Sequence, residues 1–491
     1  MEANKPMEDS TLKQKTAKGL FWGGFSNGLQ QLIGASFGIY FLRILTQEDY
    51  GLVAMLAIFT GIASTIINCG FSTALINKQD ATHEDYNAVF WFTFFAGLIL
   101  YIILFFSAPL IARFYREPKL IQLSRVIFIS FFLSGLGTVS FTVLLKKLMI
   151  KQQAIIDTAS FLISCIIGLF LAIKGYAYWS IAMQSVIYIS LASLLRLIVA
   201  PWKPTLNFNF SPLKQMYSFS IKLFLTNIFT QINIYIFSVI LGRFFGKADL
   251  GQYDRGQKWV TMGNIVISGM IGSVTQPVLA QINEDRRRQI SVLRKLIRFG
   301  SFVSFPLMFG LAFIGKEFII IAVGEKWLPS VPILQLFCIW GAVVFLVTLF
   351  TNFIFTQGKS DIYMVVTIAI GLVQIAVILC LIPWGIIPML IGYISVYLIG
   401  VFVWQYFVWK LIGLRLKDVL ADTLPYLGIT FLCFGIVWLI TRDIQNLYLL
   451  LILKIIISGI LYIFALKISN SVMLKESMEF FMSRIRNKKR C

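Results

Sequence analysis

The sequence is poor in charge, and above all in negative charge. Its 491 residues include 22 Asp and Glu, 43 Lys and Arg, and a single His. Charged residues make up 13% of the chain and hydrophobic residues 58%, whereas a soluble domain is about 25% charged. This composition excludes a soluble enzyme and a disordered chain. Six cysteines at no regular spacing indicate neither a metal site nor a disulfide framework. We expect an all-α polytopic membrane protein.

Apolar segments of the length of a membrane helix recur along the whole chain. We expect about fourteen transmembrane helices, of which the first and seventh are diluted by Asn and Gln. The predicted spans are 19–42, 52–76, 88–112, 121–145, 154–173, 177–200, 216–242, 259–281, 299–323, 331–356, 362–382, 386–409, 419–440 and 446–466. Pro306 and glycines such as Gly135 are expected to interrupt helices, which would allow bending during alternating access, or else to permit close packing between helices.

Basic residues predict the orientation. With a cytoplasmic N-terminus, about 28 Lys and Arg fall in cytoplasmic segments and about 12 on the other side. An even number of spans then leaves both termini in the cytoplasm. The net charge of +21 is therefore a topological signal rather than a sign of nucleic-acid binding. No Walker-type loop occurs, and no cofactor, metal or catalytic residue is expected.

An internal repeat relates two parts of the chain at a shift of 200 residues. The identical pairs are Asn27/Asn227, Gln31/Gln231, Phe37/Phe237, Arg43/Arg243, Asp49/Asp249 and Gly51/Gly251. Ser26 and Thr226 also correspond and are similar. Six spans separate the two copies, so both have the same orientation, as in transporters with parallel repeats. We expect two six-helix bundles related by a parallel pseudo-twofold axis, plus two extra helices. The predicted divisions are 1–18 (cytoplasmic), 19–205 (spans 1–6), 206–411 (spans 7–12), 412–466 (spans 13–14) and 467–491 (basic cytoplasmic tail).

Polar residues inside the first and seventh spans suggest a binding site. Asn27 and Gln31 lie four residues apart on one helix face, as do Asn227 and Gln231. These faces either line a water-filled cavity or form hydrogen bonds between helices.

Three cations also lie within apolar segments. Lys222 is the main candidate for a cavity residue that contacts an anion, with snorkelling to the cytoplasmic interface as the alternative. Arg125 suits either the cavity or an external interface, and Lys454 belongs to the two extra helices. The predicted core is nearly free of acidic residues, with Asp157 at a span edge, which favours anionic substrates over cationic ones.

Three short motifs resemble a known family. The segment LRILTQEDYGLVAM at 42–55, DLGQY at 249–253 and VGEKW at 323–327 resemble loops of Wzx-type polysaccharide flippases, which belong to the multidrug/oligosaccharidyl-lipid/polysaccharide superfamily. The resemblance implies a cationic central cavity and export of a polyprenyl-pyrophosphate-linked oligosaccharide for lipopolysaccharide or exopolysaccharide synthesis. It also implies a multi-pass protein of the bacterial inner membrane, with membrane lipids and a polysaccharide polymerase or assembly machinery as partners. Alternatives are a drug or metabolite antiporter of the same superfamily and a membrane glycosyltransferase or polymerase.

Overall fold

The computed structural model describes residues 5–68, 71–78, 80–282 and 285–476. Within these ranges the chain forms seventeen α-helices and two short 3₁₀ segments, without a β-strand. It divides into two compact units, 1–251 and 252–491. The described residues therefore confirm the all-α prediction.

Nine helices lie in the first unit, and a tenth begins there. They are α1 (Lys5–Ile44), α2 (Gln47–Ala54), α3 (Ala57–Asn68), α4 (Phe71–Asn77), α5 (His83–Tyr115), α6 (Leu120–Lys146), α7 (Ile150–Ile173), α8 (Tyr178–Val199), α9 (Ser211–Phe244) and α10 (Lys247–Gln281). α5 packs mainly on α6, α7 packs on α8 and α1, and α9 packs on α3 and α5. The predicted boundary at 205/206 follows the repeat rather than these contacts, and it stays a prediction.

The second unit contains the remaining helices. They are α11 (Arg286–Phe313), α12 (Gly315–Val323), α13 (Ser330–Thr356), α14 (Ser360–Leu381), α15 (Ile386–Ile412), α16 (Leu416–Thr441) and α17 (Leu447–Ile468). α11 and α15 pack on α13, α14 packs on α15, and α16 packs on both α11 and α17.

Eleven helical segments in the described ranges are long and apolar enough to cross a membrane. Together with α1, α9 and α10, they correspond in position to the fourteen predicted spans. Two predicted spans are not single helices. The second is divided among α2, α3 and α4, and the ninth divides at Ile314 between α11 and α12.

Glycine permits close helix contact rather than breaking helices. α11 continues through Pro306, and α6 continues through Gly135. A Cβ built on Gly135 would lie 2.5 Å from the carbonyl oxygen of Thr93 on α5, and one on Gly97 of α5 would lie 2.8 Å from that of Phe131 on α6. The expectation of interrupted helices at these residues was wrong, and the alternative of close helix contact is confirmed at Gly135.

The connection between α8 and α9 is held against α5. The Asn87 side chain accepts a hydrogen bond from the Thr205 amide and donates one to the Asn207 carbonyl. The Trp91 indole donates to the Thr205 carbonyl at 2.8 Å. Asn87 is buried, and its bonds fix an otherwise irregular segment to the surface of the first unit.

Candidate functional site

The four predicted amide residues have different surroundings. Asn27 and Asn227 are exposed, whereas Gln31 and Gln231 are partly buried. A Cβ built on Gly61 of α3 would lie 3.0 Å from Oε1 of Gln231, so this glutamine lies against the adjacent helix. Their assignment to a cavity stays a prediction.

The predicted cations differ as well. The guanidinium of Arg125 lies over the ring of Phe105, 4.3 Å from its centroid, and its buried Nε has no hydrogen-bond partner among the described residues. The side chain of Lys222, on α9, lies outside the described residues. Both assignments stay predictions.

The two copies of the repeat meet at a pair of glycines. A Cβ built on Gly51 of α2 would lie 1.7 Å from the carbonyl oxygen of Lys247, and one on Gly251 of α10 would lie 2.0 Å from that of Gln47. Residues 47 and 247, like 51 and 251, are equivalent under the 200-residue shift. Contact of i with j and of j with i is the signature of a twofold relation. A local pseudo-twofold axis therefore passes between α2 and the start of α10.

Ion pairs surround this crossing, which we call the Gly51–Gly251 crossing. Thr46 and Asp49 form a capping box at the start of α2, and Oδ1 of Asp49 also accepts a hydrogen bond from the Tyr178 amide at 3.1 Å. Nζ of Lys247 lies 3.0 Å from Glu117 and 3.3 Å from Glu48. Burial of Lys247 opposes its charge, but the hydrogen bonds and charges of Glu117 and Glu48 outweigh burial and raise its pKa. Polar contacts thus hold the backbones together at this end of the helices.

Sequence reasoning missed an ion pair inside the first unit. Nη2 of Arg196 on α8 lies 2.6 Å from Oδ1 of Asp157 on α7. Nε2 of Gln153 donates to Oδ2 of the same carboxylate at 2.7 Å. The next residue, Thr158, lies 2.9 Å from Ser26 of α1 between hydroxyl oxygens, and Gln30 donates to Ser26. The sequence indicates only that Asp157 lies at a span edge.

A second missed partner lies in the second unit. Nζ of Lys454 on α17 is 2.7 Å from Oε1 of Glu317 on α12, and both side chains are at most 10% exposed. Lys454 and Tyr462 line a cavity of about 410 Å³ whose wall is otherwise mostly apolar and formed by α11, α16 and α17. The sequence analysis identified Lys454, but it did not identify its partner Glu317, which lies within the predicted ninth span.

At the opposite end of α11, one carboxylate forms ion pairs with two arginines. Asp422 on α16 accepts a hydrogen bond from Nε of Arg294 at 2.7 Å, and Nε of Arg298 lies 3.1 Å from its other oxygen; the Asp422 side chain is 6% exposed. In the described part of the chain no group of three metal-ligating side chains occurs.

The long apolar helices of the described ranges define a multi-pass membrane protein. The family model described as "Polysaccharide biosynthesis protein" matches residues 41–332. The chain belongs to this family.

Three bacterial proteins are similar to this chain, and two of them are named for the biosynthesis of teichuronic acid or lipopolysaccharide. The chain is 28% identical to the teichuronic acid biosynthesis protein TuaB of Bacillus subtilis over 62% of its own length and 63% of TuaB, less than two thirds of that relative. An uncharacterized membrane protein in the cps region of Klebsiella pneumoniae is 26% identical over 96% of this chain and 98% of its own. The lipopolysaccharide biosynthesis protein WzxC of Escherichia coli is 21% identical over 67% of this chain and 68% of its own.

Solved structures agree on the fold. The lipid II flippase MurJ, in an inward closed conformation, matches with a TM-score of 0.74 at 16% identity, over 91% of this chain and 98% of its own. An inward-facing multidrug resistance MATE transporter of the MOP superfamily matches with a TM-score of 0.64 at 15% identity, over 78% and 95%. The chain therefore shares the fold of these two proteins.

Proposed function

We propose that this protein moves a polyprenyl-pyrophosphate-linked oligosaccharide from the cytoplasmic to the outer leaflet. The observation that carries the proposal is the reciprocal Gly51–Gly251 crossing in a member of the polysaccharide biosynthesis family. Two equivalent helices that meet on a pseudo-twofold axis are what alternating access requires, because the equivalent halves can rock about the axis and expose a central site to either side.

The chemistry of the substrate matches the predicted residues. A pyrophosphate needs a cation to offset its desolvation, and Lys222 and Arg125 are the proposed cations. Sugar hydroxyls suit neutral amides, and Asn27, Gln31, Asn227 and Gln231 supply them. The polyprenyl tail remains in the lipid while the head group crosses.

The membrane potential favours this direction of transport. With both termini in the cytoplasm, moving about two negative charges outward across about 100 mV, inside negative, releases about 4–5 kcal/mol. Export therefore needs no nucleotide. A polysaccharide polymerase or other assembly component is the proposed recipient of the product.

Similarity in fold to a MATE transporter supports one alternative, a drug or metabolite antiporter. Exchange of cationic substrates or of protons generally uses an intramembrane carboxylate. The predicted spans 19–42 and 216–242 contain neither Asp nor Glu, which favours the anionic substrate.

Reconstitution tests the proposal. Purified protein is placed in liposomes with a labelled undecaprenyl-pyrophosphate-linked oligosaccharide, and a glycosidase outside the vesicles reports the sugar that reaches the outer leaflet. Transfer well above that of protein-free liposomes, and its loss in Lys222→Ala with unchanged insertion, is the expected result. Transfer equal to that of empty liposomes would refute the flippase, and full transfer by Lys222→Ala would refute the role of this lysine.

A further inference from the structure

Exposed cations converge where three helix ends of the second unit meet. α11 begins at Arg286, α15 ends at Ile412 and α16 begins at Leu416. Nε of Arg286 donates to the Ile412 carbonyl at 2.7 Å, and a Cβ built on Gly413 would lie 3.7 Å from Nη2 of the same arginine. This guanidinium therefore lies across the connection between α15 and α16. The exposed cations on these ends form what we call the basic patch: Arg286, Arg287, Arg288, Lys410, Arg415 and Lys417.

The basic patch lacks counter-charge from the protein. Among the described residues none of its side chains forms an ion pair, and the bond from Arg286 to α15 is its single side-chain hydrogen bond. The neighbouring carboxylate of Asp418 is already paired with Arg294, and Asp285 accepts a hydrogen bond from the Arg288 amide at the start of α11. An anion from outside the chain can therefore supply the missing charge.

Membrane topology alone does not account for these unpaired cations. An excess of basic residues on the cytoplasmic side sets the orientation of a membrane protein, but it does not require them to remain without acceptors. The predicted cytoplasmic connections of the first unit are also basic, yet four of their cations donate to acceptors within the protein. These are Lys78 to Asp85, Arg196 to Asp157, and Lys146 and Lys203 to backbone carbonyls.

An apolar stripe on α16 begins at the basic patch. Leu416, Leu420 and Leu424 follow one another at four-residue intervals on one helix face, and all three are exposed. Tyr406 and Trp409, near the end of α15, are exposed as well, with 5.9 Å between their ring centroids. Such aromatic residues are typical of the level of the lipid head groups. A soluble acidic partner would contact the cations alone, whereas a phospholipid contacts the cations and the stripe together.

We propose that the basic patch binds an anionic phospholipid, with the lipid phosphate at Arg286, Arg415 and Lys417 and the acyl chains along the apolar stripe. Guanidinium groups suit this role because their planar N–H donors match phosphate oxygens. In the predicted orientation this end of α16 faces the cytoplasm, where the leaflet surface attracts basic segments. The bound lipid joins the ends of α11, α15 and α16 at the level of the head groups. This binding is independent of the transported substrate.

Titration of the purified, delipidated full-length protein with dioleoyl phosphatidylglycerol tests the proposal. Native mass spectrometry gives the affinity, and phosphatidylcholine with the same acyl chains is the zwitterionic comparison. We expect the native protein to bind phosphatidylglycerol at least tenfold more tightly, and to melt at a higher temperature when this lipid is bound. Arg415→Gln/Lys417→Gln should lose most of this preference, since each cation near a membrane surface contributes about fivefold in affinity.

A matched variant and a soluble probe sharpen the test. Lys147→Gln/Lys359→Gln removes the same charge from two exposed lysines of other predicted cytoplasmic connections, and it should keep the preference for phosphatidylglycerol. Without lipid, both double variants should melt like the native protein, because the substituted cations have no partner in the described part of the chain. Glycerol 3-phosphate, which has the phosphate but no acyl chains, should not displace the lipid.

Three outcomes would overturn the proposal. The first is equal affinity of the native protein for phosphatidylglycerol and phosphatidylcholine. The second is an equal loss of preference in the two double variants, because binding would then follow net charge rather than the basic patch. The third is displacement of the lipid by glycerol 3-phosphate, which would identify a site for soluble phosphates instead. None of these results changes the outcome of the transport assay in liposomes, so the proposed function is tested separately.

Discussion

Replacement of either glycine at the Gly51–Gly251 crossing should destabilise it, and by similar amounts. An alanine Cβ at Gly51 would lie 1.7 Å from the Lys247 carbonyl oxygen, against 3.4–4 Å for an ordinary contact. The obstacle is backbone, so the helices themselves must separate by nearly 2 Å. Overpacking of this kind costs about 1–3 kcal/mol, which is about a 5- to 150-fold shift away from the observed arrangement.

The reciprocal geometry makes a sharper prediction for the double variant. Once the helices have separated to admit a methyl group at Gly51, much of the space for a methyl group at Gly251 already exists. Gly51→Ala and Gly251→Ala should therefore be less than additive, as expected for residues in contact. Gly38→Ala is the matched control, because a Cβ there meets no atom within 4 Å and alanine is the better helix former.

Two measurements assess these variants. One is the apparent melting temperature in detergent, and the other is the rate at which a short bis-maleimide links Glu48→Cys to Lys247→Cys in a background without other cysteines. Both glycine variants should melt earlier or cross-link several-fold more slowly than Gly38→Ala. If Gly51→Ala matches Gly38→Ala in both measurements, the crossing is not as tight as described and the reasoning fails.

Three further predictions concern buried polar contacts. Lys454→Met should destabilise the protein by about 3–5 kcal/mol because it leaves Glu317 buried without a cation. The double variant Lys454→Met/Glu317→Gln should recover most of the lost melting temperature, and equal melting temperatures of the single and double variants would contradict this prediction. Asp422→Asn, which removes a buried carboxylate shared by two arginines, should lower the melting temperature more than Asp418→Asn, whose side chain is 37% exposed. Asn87→Ala should increase the rate of limited proteolysis in the connection between α8 and α9. Asn87→Asp should give an intermediate rate, because it keeps an acceptor for the Thr205 amide. An unchanged rate in Asn87→Ala would show that these bonds do not hold the connection.

Most of the helices follow from hydropathy, because burial in lipid requires long apolar helices whose backbone groups are all satisfied internally. The breaks in the second and ninth spans did not follow, since the segments around Ala54 and Ile314 are as apolar as their surroundings. A short interruption changes neither the length nor the mean hydropathy of a span. The repeat was found from identical residues at a fixed shift, and the reciprocal contact of Gly51 and Gly251 gives it a physical basis.

The sequence can draw attention to a single buried charge, but it does not identify the partner of that charge in an ion pair. Lys454 is conspicuous because a cation within an apolar segment is rare, but nothing in the sequence relates it to Glu317, 137 residues earlier. Arg196 and Asp157 each lie near the end of an apolar segment, where charge is common and draws no attention. Pairing across helices depends on tertiary contacts, which one sequence without its fold does not specify.

The segment fixed by Asn87 and Trp91 has a consequence for motion. Because Thr205 and Asn207 are bonded to α5, only residues 208–210 separate these bonds from α9, which begins at Ser211. Three residues span at most about 10 Å even when fully extended. Any displacement of the start of α9 during transport is therefore limited to a short distance from Asn207. This limit favours rotation of α9 about its N-terminal end over translation of the whole helix.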